Sequence, residues 1–171
     1  MLWITDFAHN GVLENDREAK TIYKNTMTVA MIGSAILLPA VGMIIDIVPA
    51  RIIFPVAFFT RGLLAGQFYF IEDPSSTYSY VLIISVVISS TVQYICVQAF
   101  FLKNLPGNIR GVMVSAFWFA GNLGSTVFAL AGGIMFDKLG RSSPFIVVSF
   151  TDLIVFTLSI VLLCMGKLKN Y

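Results

Sequence analysis

Two ionisable side chains sit deep inside apolar sequence. Arg61 interrupts the apolar run 52–71, and Asp152 interrupts the run 144–166. At 1.5 Å of helical rise per residue, Arg61 lies about 14 Å from the start of its run and Asp152 about 12 Å from the start of its own. Entered from opposite ends, both depths fall near the middle of a hydrocarbon layer about 30 Å thick. A charge there is costly, so such residues pair with one another or line water. An ion pair between Arg61 and Asp152 is the first expectation. Independent snorkelling of each to the interface and a direct role in moving a substrate or a proton are the alternatives.

Uncharged polar residues share the same depth. Thr91, Gln93, Tyr94 and Gln98 fall in the run 80–102, Gln67 in 52–71, and Asn122 with Ser125 in 111–136. Thr91, Tyr94 and Gln98 are spaced i, i+3 and i+7, so they occupy one helix face. Hydroxyls, amides and one aromatic ring suit a neutral polar or amphipathic solute. They serve equally as hydrogen bonds between helices, each worth about 0.6 kcal/mol in a membrane.

Other chemistries lack their residues. There is no Ser–His–Asp set, no clustered histidine, no phosphate-cradling loop and no carboxylate pair in one plane, so no enzyme is expected. The one histidine, His9, has no neighbouring ligand, and Cys96 and Cys164 lie within apolar runs as small apolar residues, so no metal, cofactor or disulfide is expected. The net charge of +2 comes from single basic residues at turns, with no cluster to bind nucleic acid.

The elements that must position these side chains are membrane helices. The 171 residues are 57% hydrophobic and only 12% charged, against about 25% charged in an ordinary soluble domain. Mean hydropathy is +0.86. Five spans are predicted at 26–45, 52–71, 80–102, 111–136 and 144–166, joined by short polar turns. They form an all-α integral membrane bundle of antiparallel neighbours. Residues 1–25 read as the last turns of a preceding helix and then a solvated loop or short surface helix over 14–24. On that reading the chain is a fragment.

The fourth span stands out by its small residues. Gly121, Ser125, Ala129 and Gly133 recur every fourth position, as do Ala116, Ala120 and Gly124. Such faces let helix backbones approach closely in lipid. The expectation is a central packing helix on which neighbours seat through Gly121, Gly124, Ser125 and Ala129. Gly62 and Gly66 make a shorter face of the same kind on the second span.

Three pieces of the chain together resemble the C-terminal half of a major facilitator superfamily transporter. They are Gly42-x-x-x-Asp46 with Arg51 between the first two spans, Pro106-x-x-x-Arg110-Gly111 opening the fourth, and Gly132-Gly133, Asp137, Gly140 and Pro144-Phe145 closing it. The likeness would cover the whole chain, from the end of the seventh helix through the twelfth. It implies that Gly42, Asp46 and Arg51 form the gating signature loop and that this loop faces the cytoplasm with the C-terminus. It also implies that the tenth helix, with its Thr91/Tyr94/Gln98 face, lines a cavity to which Gln67 and Asn122 add polar groups, and that the helices carrying Arg61 and Asp152 lie peripheral to that cavity, so that their pair would be structural support. The chain departs from the signature at Ile47 and Pro49. A second signature-like loop, Gly133, Asp137, Gly140 and Arg141, falls on the opposite side, and a topology shifted to put that side in the cytoplasm stays open. Lys and Arg are tied at five on each side, so the positive-inside rule does not choose.

The function expected from the resemblance is part of a secondary active transporter moving a small solute by alternating access. The missing N-terminal half, or a partner subunit, would complete the solute path. The alternative is a small polytopic structural or assembly protein that transports nothing.

Overall fold

A computed structural model describes residues 16–73, 76–103, 106, 108–140 and 142–165. It is helical, with no strand among the described residues. The helices are α1 (Asp16–Ile47), α2 (Ala50–Gly66) with a 3-10 turn over Gln67–Phe70, α3 (Thr77–Lys103), α4 (Arg110–Leu139) and α5 (Ser143–Cys164). All five, counting α2 with its 3-10 turn, are long and apolar enough to cross a membrane. The chain is accordingly an integral, multi-pass membrane protein in its build. The expected helix end before residue 14, His9, Arg141 and the tail from 166 lie outside the described residues.

α1 begins ten residues before the predicted first span. Its 32 residues reach about 48 Å at helical rise. The charged stretch, expected to be a solvated loop or a short surface helix, is helical from Asp16 and continuous with the first span, one face of the whole helix being covered. Ile22, Thr26, Ala30 and Ser34, four residues apart, are all buried. The Thr26 hydroxyl, taken out of water, donates to the Ile22 carbonyl at 2.8 Å. Ile22 packs with Phe68, Ile71, Leu82 and Ile83 at one end of the bundle. Ile45, Ala57 and Cys96 make a second apolar cluster at the other end.

α3 lies between α1 and α2, and α2 packs along its length on α5. The approach of α2 to α5 is set by the two glycines. A Cβ on Gly62 would lie 3.2 Å from Asp152 Cβ, 3.3 Å from Leu153 Cγ and 3.3 Å from the Ser149 carbonyl oxygen. A Cβ on Gly66 would lie 3.0 Å from Ser149 Oγ. In the space so left, Ser149 Oγ donates to the Gly62 carbonyl at 2.7 Å.

α4 departs from its expected place. None of its residues is buried, and it touches the rest chiefly near its ends. Phe117 stacks on Phe101 and Trp118 meets Tyr94 edge-on, with centroids 4.9 and 5.5 Å apart. At the other end Gly132 approaches Pro144. Gly121, Gly124 and Gly133 have no described atom within 4 Å of a notional Cβ. The helix expected to seat its neighbours stands off from them. The physical reason is that small residues permit close approach without driving it, whereas bulky aromatics at the Trp118 end hold the helices apart. Because Gly121 meets no tight contact among the described residues, Gly121→Ala is expected to leave stability unchanged or raised by up to about 1 kcal/mol, the helix-propensity difference. A loss of more than that in a detergent unfolding titration would show a close neighbour there.

Gly140 ends α4 at φ 100°, in the left-handed region that glycine tolerates. That sharp stop sends the chain back into α5. Ser143 Oγ donates to the Gly140 carbonyl at 2.7 Å, closing the turn.

Candidate functional site

The close packing of α2 and α5 brings their two charges together. Arg61 Nη1 lies 3.4 Å from Asp152 Oδ1. A third residue joins them from α3. The Gln93 amide accepts from Arg61 Nη1 through Oε1 and donates from Nε2 to Asp152 Oδ1 at 3.0 Å. One carboxamide thus spans a guanidinium and a carboxylate, its acceptor to the cation and its donor to the anion. Three helices meet at this point, between the two apolar clusters.

Burial is unequal across the trio. The side chain of Asp152 is 5% exposed and that of Arg61 27% exposed. Asp152 Oδ2 and Arg61 Nε are buried and have no hydrogen-bond partner among the described residues. The cluster is neutral overall, yet it retains one buried donor and one buried acceptor without a partner among the described residues.

A groove opens beside it because α4 stands off. Two adjoining cavities of about 430 and 410 Å³ share Arg61, Ser125 and Asp152 in their linings. The first is walled by Gly124, Phe128, Ala129, Val148 and Thr151. The second adds Phe58, Ser90, Gln93, Tyr94 and Val97. The small residues of α4 thus border a polar-floored groove instead of another helix.

The residues predicted to line a cavity separate into two groups. Tyr94 lies on the groove, and Gln93, its neighbour in sequence, is part of the polar floor. Thr91 Oγ1 donates to the Val87 carbonyl of its own helix at 3.0 Å. Gln98 is half-buried and lines neither cavity. Gln67 is exposed at the end of α2, where Tyr78 donates to its Oε1 at 3.0 Å. Asn122 Nδ2 donates to the Trp118 carbonyl one turn back at 2.9 Å. Gln93 was absent from the predicted face because the i, i+3, i+7 pattern through Thr91 excludes it. Its depth was the available signal, since it lies ten residues before Lys103, about 15 Å along the helix.

The signature-like loops are arranged differently from expectation. Asp46 pairs with Lys103 of α3, at 3.5 Å, and Arg51 sits half-buried in the first turn of α2. Lys103 Nζ also donates to the Ile45 carbonyl at 3.0 Å, placing a cation at the C-terminal end of α1, where the helix dipole favours it. The Asp46 side chain is 78% exposed, so the ion pair itself adds no more than about 1 kcal/mol. Gly42 has no described atom within 4 Å of a notional Cβ, so none of the described helix ends packs against it. Asp137 is exposed at the end of α4.

Among the described residues no three potential metal ligands come together. No protein-family model, curated protein or solved structure matches the chain.

Proposed function

We propose that this chain is part of a secondary active transporter that moves a small neutral solute by alternating access. The observation that carries the reading is the groove between α4 and the α2–α3–α5 body, floored by Arg61, Gln93 and Asp152. Ionisable residues at membrane depth usually serve a solute path, a relay or a structural pair. A pair serving structure alone needs no adjoining space. Here the floor adjoins two cavities, and the wall opposite is a helix with no buried residue of its own. The residual likeness of the Gly42–Asp46–Arg51 loop to the major facilitator signature supports the transporter class, while the placing of the solute beside Arg61 and Asp152 rests on the groove alone. On that likeness the C-terminus is cytoplasmic, and a second bundle, from the same polypeptide or a partner subunit, completes the path.

Water access tests the reading. In a background with Cys96 and Cys164 replaced by alanine, Tyr94→Cys and Ser125→Cys are expected to react with a membrane-impermeant maleimide in vesicles. Leu158→Cys, on the outer surface of α5, is expected to stay unlabelled as a lipid-facing control. Equal protection of all three removes the solute path. Protection together with a stable oligomer supports instead a structural or assembly protein whose polar groups join helices.

A further inference from the structure

We infer that the groove beside Arg61, Gln93 and Asp152 binds a neutral solute carrying an amide-type edge, a hydrogen-bond donor and acceptor on neighbouring groups. This deepens the transport reading by naming its solute class, and binding is measured without transport so that either can fail alone. Gln93 already shows the chemistry the pair accepts, since its carboxamide gives an acceptor to Arg61 and a donor to Asp152. The unsatisfied atoms repeat that demand. Arg61 Nε–H requires an acceptor and Asp152 Oδ2 a donor. The last torsion of an aspartate is soft and two-fold, so turning it exchanges which oxygen meets Gln93 and which is left unpaired.

Charge and shape narrow the class further. The guanidinium and carboxylate cancel, so an ionic solute would bring an uncompensated charge beside a largely buried carboxylate. Phe128, Ala129 and Val148 offer apolar wall, while Ser125 and Thr151 offer hydroxyls. A flat apolar body with one amide edge matches both. An apolar helix lying in the groove would leave the same donor and acceptor unpaired, at about 1–3 kcal/mol each.

The test uses nicotinamide as the probe, with the whole chain in lipid nanodiscs. The readout is the side-chain Nε–H resonance of Arg61, assigned by its loss in Arg61→Lys. A saturable shift is expected with nicotinamide. Nicotinate, which is anionic, and 3-acetylpyridine, which keeps the acceptor and lacks the donor, are expected to bind at least about tenfold more weakly. Gly124→Leu fills the groove from a position where a Cβ meets no described atom. It is expected to keep the helical content and lose the saturable shift. No saturable shift with nicotinamide, equal affinity for all three compounds, or undiminished binding to Gly124→Leu would each overturn the assignment. Nicotinamide binding without vesicle uptake would keep the site and remove the transport reading.

Discussion

Arg61→Ala is expected to destabilise the folded bundle by about 3–5 kcal/mol, and Asp152→Ala by less, about 1–3 kcal/mol. The asymmetry follows from burial. Removing Arg61 leaves a carboxylate whose side chain is only 5% exposed, with Gln93 as its remaining partner. Removing Asp152 leaves a guanidinium that borders the groove and is 27% exposed, so it can turn toward water. The double variant is expected to lose less than the sum, because neither half of the pair then remains alone. Gln93→Leu, which takes away the bridging amide, is expected to weaken the coupling between the other two. A denaturant cycle on the wild type, both single variants and the double variant measures this. Additive losses would show that the two charges do not depend on each other.

Gly62→Leu is expected to cost about 3 kcal/mol, at the upper end for an overpacked interior site. The upper end applies because one of the three atoms a Cβ would meet is a backbone carbonyl, that of Ser149, which has no rotamer to adopt. Moving α5 away to admit the side chain would also lengthen the Ser149–Gly62 hydrogen bond and draw Asp152 from Arg61. Loss of stability and loss of the Arg61–Asp152 coupling are therefore expected together. The contrast with Gly121→Ala is informative, since both glycines belong to small-residue faces of similar pattern. A Gly62→Leu protein as stable as the wild type would mean that α2 and α5 are not held at the distance described.

How much of this was legible beforehand differs between elements. The five spans followed from apolar runs of membrane length, and the pair at Arg61 and Asp152 was suggested by two depths counted from opposite ends. The helical start of α1 was harder to read. Its Ile22–Thr26–Ala30–Ser34 stripe mixes apolar and hydroxyl residues, so it is visible as a buried face only once α3 and the 3-10 turn after α2 stand beside it. The α4 glycines show the opposite failure. Their four-residue spacing is as regular as any in the chain, yet no described helix occupies that face.

Local composition by itself determined that the chain is helical and membrane-spanning, because transfer from water to lipid acts on each segment separately. It also placed two charges where they must find compensation. Which amide joins them, which glycines are filled by a neighbour, and that Asp46 takes Lys103 and leaves Arg51 aside were decided only by the tertiary structure. The reason is that spacing within a helix defines a face but not its partner. In lipid no hydrophobic drive selects that partner, and the choice falls to steric fit and to the few polar groups that must be satisfied.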